Sequence, residues 1–254
     1  MQRLDQIHIE QNFDEDYIKV DGAALAETER LRRISCNQNP TPWMKLDNNR
    51  ALKVASLNCA RLPAHLQFMK NDERLLRADL LQIQETWLQP GAQEVPDIDG
   101  YNCHLVSVGN GRGIASYSRL SSSTMESVNT GGFQVGKLAI GGIVSINVYR
   151  SADGSLEDLI DVLKETMIDP VQPTLITGDF NICTMKKPRN LITKTLVERL
   201  GFVLLIKEAT HIGGGHIDHV YWRDPTGQWD MPVIERYSPY WSDHDVIGAT
   251  ITRR

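Results

Sequence analysis

The chain has 254 residues, of which 41% are hydrophobic, and its formal net charge is −5. That length and composition allow a full core in one large domain, or in one domain with an extension. We expect no membrane helix and no signal peptide, because no run approaches ~18 apolar residues and the N-terminus is charged, and the net charge argues against broad coating of polyanions.

The four cysteines show no CxxC spacing, which argues against a zinc ribbon. They are Cys36, Cys59, Cys103 and Cys183. We expect reduced, partly buried thiols in an intracellular protein.

Residues 1–50 differ from the rest of the chain because they contain no convincing strand pattern. One stretch has apolar residues at helical spacing, and Pro40 and Pro42 indicate a turn or linker. We therefore predict an N-terminal extension of unassigned role over residues 1–50 and a separate domain over residues 51–254.

From Ala51 the pattern changes to strands that alternate with helices. In chain order it predicts a buried strand, a helical stretch from Pro63 to about Arg77, a second strand, and two paired strands, in LKVASLNCA, DLLQIQETWL, GYNCHLVSV and GIASYSRL. Further strand follows in KLAIGGIVSINVYRS, then an amphipathic helix in SLEDLIDVLKETMI with Ser155 as N-cap. The last predicted elements are the strand PTLITGD, a helix around LITKTLVERL, and the strands HIDHVYWR and DVIGATIT. Hairpins mixed with crossovers predict an α/β layered domain with mixed sheets.

Two polar residues stand at the end of the strand in PTLITGDFNI, namely Asp179 and Asn181. If the strand continues, these two side chains point the same way, since residues two apart on a strand share a face. An ordinary turn also favours Asp and Asn, because their side chains bond the nearby backbone. The pair alone does not distinguish a site from a turn.

Polar residues also end the first two predicted strands. Glu85 continues the strand face of Leu81 and Ile83, and a carboxylate in an apolar row needs a cation or metal unless the strand emerges into solvent. Asn58 follows Val54 and Ser56 on one face of the first strand. Both positions therefore join the candidate set.

Three later strand ends repeat this pattern. Tyr149 closes SINVYRS, where a phenol can pack in a core or donate to a phosphate. Asp218 lies in a strand behind three glycines that permit close backbone approach. Asp243 and His244 open the final strand in SDHD, where a surface loop and a metal ligand beside a charge stabiliser are both reasonable.

Layered α/β folds gather such strand ends into one cleft, so we expect these side chains to lie close together. The set is rich in oxygen and has no thiol, which favours Mg²⁺ or Mn²⁺ over zinc. A hard metal, carboxylates, a carboxamide and a histidine suit hydrolysis of a phosphate ester. No feature indicates a small organic cofactor.

Six motifs in this order resemble the endonuclease/exonuclease/phosphatase superfamily, from about Leu52 to the C-terminus: SLNCARL, LQIQETWL, INVYRS, TGDFNI, HIDHVYW and SDHDV. The resemblance implies a four-layer αββα sandwich of two packed mixed sheets, with residues 51–254 as the catalytic domain. It implies that Glu85 ligates the metal, that Asn58 supports both the metal and the phosphate of the substrate, and that Asp243 lies at or near a metal position. Tyr149 and Asn181 would contact the phosphate.

The same resemblance implies roles for the remaining residues. Asp179 would orient or deprotonate the attacking water, and His244 would stabilise the pentacovalent phosphorus. Asp218 would accept from His244 and hold its ring. His211 lies where relatives place a loop near the substrate and is expected as a DNA contact.

Two differences from the abasic-site endonucleases of the family narrow the class of substrate that we expect. Abasic-site endonucleases of this family usually carry an acid where this chain has Ala60, and Thr-Lys where it has Thr86 and Trp87. The motifs look more like endonucleases of non-LTR retrotransposons and Helitron-type elements, which nick DNA. We therefore expect an Mg²⁺-dependent DNA endonuclease that acts without a membrane, either as part of a larger polyprotein with polymerase or helicase or alone. An element of eukaryotic origin would act in the nucleus.

Two other hypotheses are also compatible with the sequence. One is a phosphoesterase of the same superfamily with another substrate, such as an abasic-site repair enzyme, a DNA-adduct phosphodiesterase or an inositol polyphosphate phosphatase. The other is an inactive copy that serves as a DNA-binding or interaction module.

Overall fold

The computed structural model of the chain describes residues 51–88, 96–107, 112–121, 126–186 and 190–254. The predicted extension over residues 1–50 lies outside these ranges. The strands are β1 (Ala51–Asn58), β2 (Leu80–Gln84), β3 (Asn102–Ser107), β4 (Gly113–Ser118), β5 (Glu126–Asn129), β6 (Phe133–Ile140), β7 (Ile143–Arg150), β8 (Thr174–Asp179), β9 (Val203–Leu204), β10 (Asp218–Arg223), β11 (Val233–Tyr237) and β12 (Val246–Thr252).

Helices connect several of these strands. They are α1 (Leu62–Lys70) with a following 3₁₀ turn (Leu75–Arg77), α2 (Leu156–Val162) continued by a π-helical turn (Leu163–Met167), and α3 (Leu191–Thr193) continued by a second one (Lys194–Arg199). Within the described ranges, no helix has the length and apolar character needed to cross a membrane.

The strands form two six-stranded sheets with the same pattern of pairing. The first sheet has the order β11-β12-β1-β2-β4-β3, and the second has the order β5-β6-β7-β8-β10-β9. Each sheet has one parallel pair at its centre, β1–β2 in the first and β7–β8 in the second, while its other pairs are antiparallel. Helix α1 crosses between the strands of the first parallel pair and α2 between those of the second, as parallel neighbours require.

Helices pack on the outer face of each sheet through apolar side chains. In the first sheet Leu57, Leu81 and Ile83 share a buried cluster with Leu62 and Met69 of α1. In the second sheet a similar cluster joins β7 and β8 to α2, α3 and their π-helical turns, through Ile146, Val148, Ile176, Leu159, Leu163 and Leu196. Helices outside and two sheets inside give the predicted four-layer αββα sandwich, which is confirmed.

The inner faces of the two sheets change character along the strands. At the amino ends of the parallel pairs the facing side chains are apolar, and they include Leu52, Val54, Leu80, Ile143 and Leu175. In the middle they are polar and still buried: Ser56, Gln82, Gln84, Ser145, Asn147 and Thr177. At the carboxyl ends they are Asn58, Tyr149 and Asp179. The layer between the sheets is thus a core at one end and a polar site at the other.

Hydrogen bonds across this layer hold the sheets in register. Gln82 Nε2 donates to Ser145 Oγ over 2.9 Å, and the Thr177 hydroxyl donates to Gln82 Oε1. One step further along, Gln84 Nε2 donates to Asn147 Oδ1 over 2.6 Å. Because buried amides and hydroxyls are costly when unpaired, these bonds keep the ends of the two parallel pairs opposite each other.

A matched pair of substitutions tests this interpretation. Gln134 of β6 is also fully buried, but neither of its amide atoms has a hydrogen-bond partner among the described residues. We expect Gln82→Leu to lower the free energy of unfolding by about 2 kcal/mol, because it leaves the hydroxyls of Ser145 and Thr177 unpaired. Gln134→Leu should be neutral or stabilising. Urea denaturation measures both, and equal losses would show that side-chain shape, not hydrogen bonding, sets the effect.

The structure corrects the predicted elements at several points. The second strand ends at Gln84 instead of continuing to Leu88, because the backbone of Glu85 has φ +53°. The further strand predicted in KLAIGGIVSINVYRS is divided between β6 and β7, which turn at Gly141 and Gly142 with φ +58° and +88°. The predicted N-cap of α2 is confirmed, since Ser155 Oγ accepts from the Asp158 backbone N–H over 3.1 Å.

Candidate active site

The candidate site lies where the carboxyl ends of the two parallel pairs face each other. Asn58 ends β1, Glu85 follows β2, and Asp179 ends β8. Tyr149 on β7 and Asp218 on β10 are the register partners of Asp179 on either side. Strand β10 runs antiparallel to β8, so its first residue reaches the edge at which β8 ends. Five of the predicted residues therefore meet at one edge of the sandwich.

Asp179 is buried and accepts hydrogen bonds from both sheets. Asn58 Nδ2 donates to its Oδ2 over 2.9 Å, and the Asn181 backbone N–H donates to its Oδ1 over 2.8 Å. Asn181 Nδ2 lies 3.3 Å from Asp179 Oδ2 and donates to the Arg150 carbonyl over 2.9 Å. The carboxylate therefore has a defined orientation.

The geometry that joins Asp179 and Asn181 differs from the strand alternation expected for them. The strand ends at Asp179, and Asn181 adopts φ +49°, so the chain turns and the Asn181 N–H caps the carboxylate. This is the local Asp-to-backbone bond that an ordinary turn makes. The segment is both a turn and part of the candidate site.

The surroundings of Asp179 raise the pKa of its carboxyl group to near neutral pH. Burial is the main cause that raises its pKa, followed by the nearby charge of Asp218 and, less strongly, that of Glu85. The charge of His244 and the Asn181 N–H oppose the shift, and the resulting pKa is about 7. A carboxylate with a raised pKa is a better proton acceptor at neutral pH than an exposed one.

Asp218 and His244 form a buried pair beside Asp179. His244 Nδ1 donates to the two carboxylate oxygens of Asp218 over 2.9 and 3.0 Å. Burial by itself would lower the pKa of His244, but the charge and hydrogen bond of Asp218, with the charges of Asp179 and Asp243, raise it to about 10. The imidazole is therefore protonated at neutral pH, and its Nε2 carries a proton on the side away from Asp218.

Two hydroxyl groups that the sequence pattern did not single out support this pair. Thr210 Oγ1 donates to Asp218 Oδ2 over 2.7 Å and accepts from the Asp218 backbone N–H. Ser242 Oγ donates to the Asn58 carbonyl over 2.8 Å and accepts from the His244 N–H over 3.1 Å, which ties the loop before β12 to the end of β1. Neither residue lies on a predicted strand face, so no alternation pattern could have identified them.

Glu85 reaches the site by a different route from the one expected. Leu81 and Ile83 point towards the helices, and Glu85 leaves that row because its backbone is left-handed, with φ +53°. The Trp87 indole Nε1 donates to Glu85 Oε2 over 3.2 Å. Burial raises the pKa of Tyr149 above its usual range, and the nearby charges of Glu85 and Asp179 raise it further.

His211 lies against Asp243 at the rim of the site. Its Nδ1 accepts from the Gly213 backbone N–H over 3.0 Å, so its Nε2 carries the proton and donates to Asp243 Oδ2 over 3.3 Å. Burial opposes ionisation of Asp243, but the His211 hydrogen bond and the His244 charge outweigh it and lower the pKa of Asp243. In this structure His211 orients Asp243, and its expected contact with DNA stays a prediction.

The candidate site is rich in oxygen atoms, the ligand type that Mg²⁺ and Mn²⁺ prefer. Among the described residues, two groups of His and Asp side chains lie within 4.8 Å of one another, Asp179–Asp218–His244 and His211–Asp243–His244. Both groups include His244, whose Nδ1 is already hydrogen-bonded to Asp218. The Nε2 of His211, which faces Asp243, carries a proton. Nitrogen ligation is therefore disfavoured there, whereas Glu85, Asn58 and Asp243 offer oxygens. A cation at Glu85 would also offset the charge that raises the pKa of Tyr149 and Asp179.

His219 supports the site from behind. It is fully buried and stacks on Phe180, with ring centroids 4.8 Å apart. Its Nε2 donates to the Ile182 carbonyl over 3.0 Å, and its Nδ1 accepts from the Tyr221 hydroxyl over 3.0 Å. Burial first, and then the neighbouring His216, lower its pKa to about 3. The neutral ring thus anchors the turn that carries Asn181.

This histidine should make folding sensitive to acid. Because its folded pKa lies below the unfolded value of 6.5, the unfolded chain binds the proton first as the pH falls. The contribution to stability is complete above pH 6.5 and declines below it, by at most about 1.4 kcal/mol per pH unit. Urea denaturation between pH 7 and 4 should show a shallower decline for His219→Gln than for the wild type. Parallel curves would contradict this prediction.

The profile of the Endonuclease/Exonuclease/phosphatase family matches residues 55–244. The endonuclease domain of TRAS1, a telomere-specific non-LTR retrotransposon, superposes with a TM-score of 0.57 at 15% identity, over 80% of this chain and 99% of that one. An AP endonuclease from Archaeoglobus fulgidus gives a TM-score of 0.60 at 19% identity, over 78% and 98%.

A third similar structure is the 3′ phosphatase NExo from Neisseria bound to a product DNA hairpin, with a TM-score of 0.55 at 17% identity, over 78% of this chain and 98% of that one. Among curated proteins, none matches the sequence. The structural similarities show the shared fold, and the profile covers well over half of the chain. The chain therefore belongs to the Endonuclease/Exonuclease/phosphatase family of metal-dependent phosphoester hydrolases.

Proposed function

We propose that this chain is an Mg²⁺-dependent DNA endonuclease that hydrolyses phosphodiester bonds and nicks target DNA, as the endonuclease domain of a mobile element does. Mn²⁺ is the alternative ion. The observation that carries the proposal is the convergence of Asp179, Asp218 and His244 within 4.8 Å at the edge where both sheets end. These groups supply a base and a charged hydrogen-bond donor side by side.

Asp179 is proposed to orient the attacking water and take its proton. Its carboxylate is held by Asn58 and by the Asn181 N–H, and its raised pKa of about 7 makes it a competent acceptor at neutral pH. Holding the water in place also lowers the entropic part of the barrier. The burial of Asp179 excludes competing bulk water from the acceptor.

His244 is proposed to stabilise the charge that develops on the phosphoryl group. Asp218 fixes the ring through Nδ1 and keeps it protonated, which leaves the Nε2–H to donate to a phosphoryl oxygen. Tyr149 and Asn181 are proposed to contact the other phosphoryl oxygens, because both lie directly beside Asp179. His211 would add a contact with DNA from the rim.

Glu85, with Asn58 and Asp243, would hold the metal ion. The bound ion would supply Lewis-acid polarisation of the phosphoryl oxygens and charge stabilisation of the leaving oxygen. An oxygen-only set of this kind suits Mg²⁺.

DNA is proposed as the substrate because all three structures described above carry names or ligands that concern DNA or retrotransposition, while Ala60 and Trp87 depart from the abasic-site pattern. Because its motifs resemble the endonuclease domains of mobile elements, the chain is also proposed to work as part of a larger polyprotein with polymerase or helicase. It would act in the nucleus if the element is eukaryotic.

One assay with parallel substrates tests the proposal. The purified chain is incubated with Mg²⁺ and supercoiled plasmid, and separately with an abasic duplex, an inositol polyphosphate and poly(A) RNA. We expect nicked circles that disappear with EDTA. Intact plasmid together with phosphate release from the inositol compound would overturn the nuclease proposal. A preference of several orders of magnitude for the abasic duplex would instead identify a repair enzyme.

A further inference from the structure

Unusual backbone conformations are concentrated around the candidate site. The non-glycine residues with positive φ in the described ranges are Ala60, Arg61, Glu85, Trp87 and Asn181, at +49°, +141°, +53°, +53° and +49°. All of them lie in the two loops that follow β1 and β2 or in the turn after β8. Each such conformation costs on the order of 1–3 kcal/mol and persists only where the surroundings enforce it. Residues 60–61 after β1 and residues 85–87 after β2 therefore have a strained backbone that fixes the direction of their side chains.

Among residues 85–88, which directly follow β2, Trp87 is the one with an exposed side chain. It is 43% exposed, whereas Trp222, Trp229 and Trp241 are 3%, 7% and 9% exposed. Its indole N–H is bonded to Glu85 Oε2, which fixes the edge of the ring beside the proposed metal ligand. An aromatic surface that is half-exposed, held by a polar bond and placed at a phosphoester site is suited to stacking on a base.

Arg61 lies in the loop after β1, whose backbone is hydrogen-bonded to the loop that carries Trp87. The Leu62 backbone N–H donates to the Thr86 carbonyl over 3.1 Å, so the two loops are hydrogen-bonded to each other at the residues that adjoin Arg61 and Trp87 in the chain. The Arg61 side chain is exposed and precedes α1, and its φ of +141° is a value that L residues rarely adopt. A guanidinium at this position can bind a phosphate next to the base that stacks on Trp87.

We propose that Trp87 stacks on the base of a nucleotide adjoining the scissile phosphate, that Arg61 binds the neighbouring phosphate, and that the preferred substrate carries an unpaired base at this position. This inference rests on the proposed DNA endonuclease function and names its substrate class. In a duplex the base must first be unstacked, which costs a few kcal/mol, whereas a single-stranded or frayed segment presents its base freely. Trp87 thus favours single-stranded or frayed DNA.

The test compares two variants that lose the same hydrogen bond. Trp87→Phe and Trp87→Leu both remove the indole N–H, but only the phenylalanine retains an aromatic face. Binding of a fluorescent twelve-nucleotide single strand is measured by anisotropy in EDTA, so that no cleavage is required. We expect Trp87→Phe to bind close to wild type, and Trp87→Leu to bind about 5- to 150-fold more weakly, which is the range for loss of one stacked base.

The remaining measurements separate the explanations. Arg61→Gln should reduce the slope of log affinity against log salt concentration by about the amount expected for one phosphate contact. Val171→Ala, in the exposed loop that precedes β8, should change neither the affinity nor this slope. The matched duplex should bind more weakly than the single strand to the wild type, and that gap should narrow in Trp87→Leu. Equal losses in both Trp87 variants would show that the indole only orients Glu85 and would overturn the proposal. Because binding is measured without turnover, failure of plasmid nicking would count against the proposed function alone.

Discussion

Replacing Asp179 with asparagine is expected to lower the rate of plasmid nicking by about 10²- to 10⁴-fold, the range for removal of a general base. The change preserves the size of the side chain and removes its ability to take a proton from water. The rate of nicked-circle formation at saturating Mg²⁺ measures the effect. Asp161→Asn, on the exposed surface of α2, is the matched control and should leave the rate unchanged.

The same variant should also show that this carboxylate opposes folding. Burial raises its pKa from 3.8 to about 7, so the folded protein disfavours the ionised form. The loss of stability begins as the pH rises through 3.8 and is complete above about 7. We therefore expect Asp179→Asn to gain stability relative to wild type between pH 4 and pH 8.

For the nicking assay, a rate of Asp179→Asn within tenfold of the wild-type rate, in a variant that folds, would remove Asp179 from the proposed mechanism.

His244→Gln and Asp218→Asn are expected to act as one unit. His244→Gln removes the charged donor and should lower the nicking rate by about 10³-fold, comparable to loss of one donor at a transition-state oxyanion. Asp218→Asn should lower it by a similar or somewhat smaller factor, since Asp218 acts through His244 Nδ1. The double variant should be little slower than His244→Gln alone, because residues that act together are not additive.

A multiplicative effect in that double variant would contradict the proposed arrangement. It would mean that Asp218 contributes independently of His244, for instance through Asp179, whose pKa it also raises. Thermal unfolding of each variant shows whether the fold is retained. The Asp161→Asn control applies here as well.

Local sequence pattern was sufficient for most of the fold. The alternation in β1, β7 and β8 correctly predicted strands, and the period of α2 with Ser155 correctly predicted a capped helix. These features depend on neighbours within a few residues, so the sequence contains them directly. Strands β5, β9 and β11 were not predicted, because they lie at sheet edges where their residues are exposed or only partly buried, and such strands show no clear apolar alternation.

The two faces of β2 differ in polarity, and the polar face is the one that lies against the other sheet. Gln82 and Gln84 alternate with Leu81 and Ile83, and the structure shows that the glutamines face the other sheet while the apolar residues face α1. Assigning the apolar row to the site therefore misplaced Glu85. A strand in a sandwich can be buried on both faces, so polarity alone does not identify the outer face.

The sequence by itself determined which side chains stand at strand ends, and hence that carboxylates, an amide and a histidine would meet at one edge. Only the tertiary structure decided how they meet. The left-handed backbone of Glu85 and Asn181, the Thr210 and Ser242 hydroxyls, and the contact of His211 with Asp243 depend on partners distant in sequence or on strained dihedrals. Alternation describes a continuing strand, and these residues act where the strands have ended.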